Sequence, residues 1–409
     1  MSDAAASRTV WTITLAAAAL LMVTMGLRQS MGLFVAPINT STGLGIATVS
    51  FAMAVAQFMW GAAQPVAGAL ADRYGPGRVL AAGVLLLAIG TALTPLMSSG
   101  LGLVLVMGVL TAIGSGAGSF SVLIGAAAQR LPVERRGLAS GVINAGGSFG
   151  QFVFAPIAQR LIAGLGWMGA LWSLAVISLA ALPLAWLLRR PAAPAQAAHA
   201  ADGGLRAAVK DSFADRSYQL LHAGFFTCGF HIAFLVTHLP GEVDLCGLPP
   251  TVASWSLAII GLTNIAGSLA AGWWVQRYRS KYVLAWMYAS RAVLIVAYLL
   301  APKTPLTFYL LAAGLGFTWL ATVPPTAAVV GKLFGTRYLA TLFGLTLLSH
   351  QIGAFFGAWL GGLAITRQGD YLWMWYADAV LALAAALVNL PIREAKIERV
   401  VPAVPRAAR

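Results

Sequence analysis

Uninterrupted apolar stretches recur along the chain, each ending at a Pro, Gly or charged break. Twelve of them reach the ~20 residues that a helix needs to cross a bilayer. They run over 11–36, 47–71, 78–97, 101–128, 138–159, 167–188, 217–239, 251–275, 282–301, 306–331, 339–365 and 371–391. The runs are continuous rather than alternating, which predicts helices and excludes a membrane β-barrel. The first is too long for a signal-peptide core and is not followed by a small-residue cleavage site, so it is expected to be a retained helix. The longest polar stretch, 189–216, is rich in Ala and Pro and carries His199, Asp202, Gly203 and Gly204. It falls near mid-chain, as a flexible linker between two six-helix bundles at 11–188 and 217–392 would. Short ends, 1–10 and 393–409, flank them.

Composition agrees with a membrane chain. Of the 409 residues, 59% are hydrophobic and 9% charged, against about 45–50% and about 25% in soluble proteins. A cytosolic enzyme, a disulfide-stapled secreted domain and a disordered regulator are thereby excluded. The net charge of +14 would point to nucleic acid in a soluble protein, but its distribution gives another reading. The two ends and the loops after even-numbered helices hold 21 of the 26 Lys and Arg residues, whereas the opposite loops hold Arg160, Lys303 and Arg367. The positive-inside rule therefore puts both termini in the cytoplasm, in a multi-pass protein of the cytoplasmic membrane. Nucleic-acid binding becomes unnecessary. Cys228 and Cys246 lack metal spacing and read as free thiols.

The chain also repeats itself at half its length. Gly68–Tyr74 with Asp72-Arg73 follows helix two, and Gly272–Tyr278 with Gln276-Arg277 follows helix eight, 204 residues on. Gly26-Leu27-Arg28 in helix one and Gly229-Phe230-His231 in helix seven are 203 apart, as are Gly141 and Gly150 from Gly344 and Gly353. Two parallel six-helix repeats are an architecture of secondary transporters. The segment Gly68-Ala-Leu-Ala-Asp72-Arg73-Tyr74-Gly75-Pro76-Gly77-Arg78 resembles the loop signature of the major facilitator superfamily. The resemblance implies an all-α membrane protein of twelve helices in two pseudo-symmetric bundles. It also implies a cytoplasmic gate at Asp72, Arg73 and Arg78, with Glu134, Arg135 and Arg136 in the matching basic turn. Asp72 closes a helix C-terminus, where a carboxylate is unfavourable without compensating cations. A latch from Asp72 to Arg78 or Arg136 supplies them; the alternative is a set of solvated loop ends that fix topology.

Ionisable side chains inside the membrane cost several kcal/mol and usually face a polar cavity. Here they are Arg28, His231, Arg291, His350 and, nearer an end, Asp378. At 1.5 Å per residue, Arg28 lies roughly 26 Å, His231 roughly 22 Å and His350 roughly 17 Å from the cytoplasmic start of their helices. In the facilitator fold, helices one and seven both line the central cavity. Arg28 and His231, at matching repeat positions, are therefore expected to face each other across it. Cationic and neutral-to-cationic side chains there favour an anion. Arg291, on peripheral helix nine, reads as structural, paired with Asp378 or snorkelling. No central carboxylate is left for a proton, so coupling falls to His350 or His231, as an unperturbed histidine titrates near ~6.5, or to the substrate's own acid group. Gln57, Ser119, Asn144, Asn264, Ser268, Trp319 and Gln351 offer further hydrogen bonds, either to substrate or as glue between helices.

Within the superfamily the chain is similar to the monocarboxylate and oxalate/formate transporters. The residues that carry the similarity are Gly26–Phe34 on helix one and Asn264, Gly267, Ser268 and Gly272 on helix eight. It departs from them at Ser268, where relatives place a carboxylate-binding Arg, and at His350, where they place a Lys. Arg28 matches the helix-one cation of monocarboxylate carriers. One ligand kept, one weakened and one missing suit a single carboxylate better than two. No phosphate loop, metal cluster or nucleophile–base motif occurs. The expectation is a monomeric, cofactor-free, alternating-access carrier of a small organic acid anion, with proton symport or anion exchange, and not an enzyme. Drug or metabolite efflux and a transporter-like substrate sensor are the alternatives.

Overall fold

The computed structural model describes residues 3–128, 130–131, 133–189, 204–335 and 339–395. Within them the chain is all helical, and eleven helices are long and apolar enough to span a membrane. One of these, Ala139–Leu187, is two crossings joined at Gly166, whose φ of 69° breaks the helix. A side chain is poorly tolerated at that dihedral, so glycine makes the corner. The twelve crossings are α1 (Val10–Thr42), α2 (Ile46–Ala71), α3 (Pro76–Leu96), α4 (Gly100–Ala127), α5 (139–165) and α6 (167–187). They continue with α7 (Arg216–Leu245), α8 (Pro250–Arg277), α9 (Ser280–Leu300), α10 (Pro305–Phe334), α11 (Thr341–Gln368) and α12 (Leu372–Asn389). The linker expected to be flexible contains a helix, Gly204–Ala214, while its 190–203 portion lies outside the described residues.

The two halves use the same pairings. α1 packs on α5 as α7 does on α11, α2 on α4 as α8 on α10, and α3 on α6 as α9 on α12; the halves meet along α2–α11 and α5–α8. Two repeat glycines show why the pattern is visible in sequence. A Cβ on Gly150 would stand 2.1 Å from the Met22 carbonyl oxygen, and one on Gly353 2.0 Å from that of Phe226. Both are backbone-to-backbone approaches that only glycine permits. Gly344, by contrast, faces open space. Gly150→Leu and Gly353→Leu are each expected to abolish recovery of monodisperse protein on size exclusion in detergent, with Gly344→Ala recovered at wild-type yield.

The halves also share an interrupted helix. α4 breaks at Gly118–Ser119 and α10 at Trp319–Thr322, just before Pro324-Pro325. Polar groups satisfy the carbonyls freed by each break, as burial in a membrane demands. Thr24 Oγ1 of α1 donates to the Gly118 carbonyl at 2.9 Å, and Cys228 Sγ of α7 lies 3.8 Å from that of Trp319. Arg291, fully buried, completes the second break: Nη2 donates to the Thr318 and Trp319 carbonyls, the latter at 2.9 Å, and Nε to Thr318 Oγ1 at 3.2 Å. Arg291 is thus a backbone clamp. The pairing with Asp378 raised from sequence does not form, because Asp378 Oδ2 is held by His231.

Candidate functional site

Between the halves lies a cavity of ≈ 450 Å³. Its lining runs from Arg28, Gln57 and His350, deep in the bundle, to Gln64, Ile124, Ser140, Gly272 and Phe343. The latter residues stand near the ends of α2, α4, α5, α8 and α11 that meet the basic loops, so the cavity extends toward that face. The other face is closed. Gly32 of α1 lies against the Val236 carbonyl of α7, Gly362 of α11 against Ser50 of α2, and Phe51 stacks edge-on against Phe355 and Trp359.

Arg28 supplies the strongest charge in this cavity. Its Nη2 donates to Gln57 Oε1, and its Cζ lies 4.1 Å from the centroid of the Trp60 ring. Stacking on the indole face holds the guanidinium plane, while the Gln57 bond uses one of five N–H donors and leaves others for a planar acceptor. Gln57 and Trp60 are one helical turn apart on α2, so one face of that helix presents both.

Across the cavity, His350 and Gln351 of α11 are near-neighbours, with Gln351 Nε2 3.3 Å from His350 Nδ1. His350 stacks on Phe225 at 5.0 Å and remains on the lining. Asn144 and Ser268 line the cavity as well. Asn264 stands behind them: its Nδ2 donates to Ser148 Oγ at 2.8 Å, its Oδ1 accepts the Leu320 N–H at 2.9 Å, and Ser268 Oγ donates to that Oδ1 at 3.4 Å. One side chain therefore ties α5, α8 and the break in α10 together. Ser148, Gln29, Gln64 and Trp60 also line the cavity and were not singled out from sequence. The missed signal is spacing: Gln57, Trp60 and Gln64 follow a 3–4 residue period on α2.

Besides Asn264, which stands behind the lining, three expected site residues are placed off the cavity. Ser119 is fully buried, and its hydroxyl donates to the Gly116 carbonyl at 2.6 Å within the α4 break. Trp319 is buried at the α10 break. His231 does not face Arg28; its Nδ1 lies 2.6 Å from Asp378 Oδ2 on α12, and both side chains are shielded from solvent. The reason is a register difference of one residue. Met22 meets Gly150 as Phe226 meets Gly353, and Thr24 meets α4 as Cys228 meets α10, so α1 and α7 correspond at 204 residues, not 203. One residue turns a helical position by ~100°. The counterpart of Arg28 is then Ile232, which lines the cavity.

The gate is only partly described. The side chains of Asp72, Glu134, Arg135 and Arg136 lie outside the described set. Arg73 stacks on Tyr74 at 5.2 Å, and Arg78 borders a groove between α2 and α3.

Twelve crossings in two matched halves around one cavity define a secondary transporter rather than an enzyme. The sequence profile of the Major Facilitator Superfamily matches residues 14–248 and 221–408, and the chain belongs to that family. Among similar proteins, monocarboxylate transporter 13 of Rattus norvegicus is 28% identical over 398 residues, 93% of this chain and 89% of that one. The oxalate:formate antiporter of Oxalobacter formigenes is 22% identical over 367 residues, 88% of this chain and 86% of that one. A D-xylose–proton symporter of known crystal structure shares the fold at a TM-score of 0.77 with 16% identity, covering 94% of this chain and 98% of that one. The first two are distantly similar in sequence, and the symporter is similar in fold.

Proposed function

We propose that this chain transports a small organic monocarboxylate, with the carboxylate held by Arg28. The observation that carries the reading is the Arg28 guanidinium on the cavity wall, fixed by Gln57 and Trp60 with donors to spare. Among the described residues no Asp or Glu lines the cavity, which favours an anion over the cationic drugs that an efflux carrier would bind. The similarity to monocarboxylate transporters and to an oxalate:formate antiporter supports the same class. The basic loops put the open face in the cytoplasm, so the structure corresponds to an inward-facing stage of alternating access.

Proton coupling is assigned to His350, the histidine that reaches the cavity. The His350→Gln carrier is expected to lose the pH dependence of uptake while keeping substrate binding; an unchanged pH profile would remove this role. The substrate class is tested by thermal-shift screening of purified protein against mono- and dicarboxylates, amino acids and lipophilic cations. A ligand at about 100 times its Kd stabilises by about 2.7 kcal/mol. Stabilisation by monocarboxylates supports the reading, and stabilisation by lipophilic cations alone overturns it in favour of efflux.

A further inference from the structure

The cavity has two unlike walls. On the N-terminal half, Arg28, Gln57, Asn144 and Ser148 present polar groups interspersed with Met25, Phe120 and Ile124, whereas the C-terminal half is mostly hydrocarbon, from Phe225, Ile232, Ile265, Leu269, Phe343 and Leu347. Where the repeat would place a second cation opposite Arg28, the chain has Ile232. Where the six apolar side chains converge, a hydrated body gains nothing and an apolar one sheds its water. The volume of ≈ 450 Å³ corresponds to about fifteen waters at ~30 Å³ each, and it falls in the ~300–1,000 Å³ range of sites that enclose drug-sized ligands. A formate, acetate or lactate on Arg28 would leave most of the apolar wall wet.

We infer that the substrate is an amphipathic monocarboxylate, its acid group on Arg28 and an aromatic or branched hydrocarbon body against the C-terminal wall. This rests on the carboxylate reading above and narrows it. A second acidic or a strongly hydroxylated group on the body would meet hydrocarbon with few partners. Ser268, His350 and Gln351 are the polar groups of that wall and would accommodate at most a single polar substituent near its deep end.

The test is a length series of linear fatty acids from acetate to decanoate, together with phenylacetate and phenylpropionate. Binding is measured by isothermal titration on wild-type, Leu347→Gln and Arg28→Gln protein in detergent, and the corresponding amides serve as neutral controls. Each buried methylene is expected to tighten binding by about fourfold until the wall is filled, with the phenyl acids far tighter than acetate. Leu347→Gln is expected to flatten the series, because a polar side chain then interrupts the apolar wall. If that variant does not fold, the wild-type series alone decides the matter. A flat or falling series whose members still need Arg28 overturns the amphipathic substrate and leaves the carboxylate reading standing. Binding of no acid at any length overturns both.

Discussion

Replacing Arg28 with Gln is expected to abolish carboxylate binding while leaving the folded protein intact. The guanidinium is the cavity's strongest cation, and its removal strips the carboxylate of its charge partner in a low-dielectric cleft. Removing one partner of a buried charged hydrogen bond costs about 2–5 kcal/mol, at least about thirtyfold in Kd. Folding is expected to survive because Arg28 contacts Gln57 and Trp60 on the cavity surface and clamps no backbone, unlike Arg291. Arg28→Lys is expected to recover part of the binding, since an ammonium restores charge without the planar fork or the flat stack on Trp60. Titration of all three proteins with one monocarboxylate checks this; equal affinities for wild type and Arg28→Gln would show that the anion sits elsewhere.

The second large effect concerns stability. His231 and Asp378 join α7 to α12 through a 2.6 Å contact in a region shielded from solvent. Truncating either side chain leaves the other's buried polar atom without that partner, at a cost of about 1–3 kcal/mol. Asp378→Ala and His231→Ala are each expected to lower the melting temperature sharply. The double variant is expected to lose less than the sum, with a coupling on the order of 1–3 kcal/mol. Neither residue lines the cavity, so carboxylate affinity of surviving folded protein should be unchanged. Additive losses would show that the contact contributes no coupling, and a lost affinity would return His231 to the substrate path.

The fold was legible because the membrane leaves few choices. Each crossing must bury some twenty residues of backbone in its own hydrogen bonds, so the apolar runs and their basic flanks mark the helices directly. The joint between α5 and α6 was equally visible, as the gap between two runs that contains Gly166. The repeat was legible through Gly150 and Gly353, whose identity is dictated by a carbonyl about 2 Å from where a Cβ would be. Helical rotation was not. Gly26 and Gly229 align at 203 residues, yet the packing of α1 and α7 corresponds at 204, and that single residue moves His231 from the cavity wall onto α12. Arg28, Gln57, Asn144, Ser268, His350 and Gln351 do come together at the cavity.

Ser119 and Trp319 mark a second limit. Sequence shows a polar or aromatic residue amid glycines and prolines, and a substrate ligand and a helix interruption give the same signature. Only the partners separate them: Ser119 returns its hydrogen bond to its own helix, and Trp319 lies where Arg291 and Asn264 hold the unwound turn. Arg291 itself would have been a poor candidate for anion binding, since it is fully buried among α7, α9 and α10.

Counterflow in proteoliposomes measures the transport reading most directly. Vesicles loaded with unlabelled phenylpropionate are diluted into a trace of the labelled acid, and accumulation is followed for wild-type and Arg28→Gln protein. Transient accumulation by wild type and none by the variant is the expected result. Binding without any flux in wild type would instead make the protein a sensor, and equal flux in both proteins would contradict the role of Arg28.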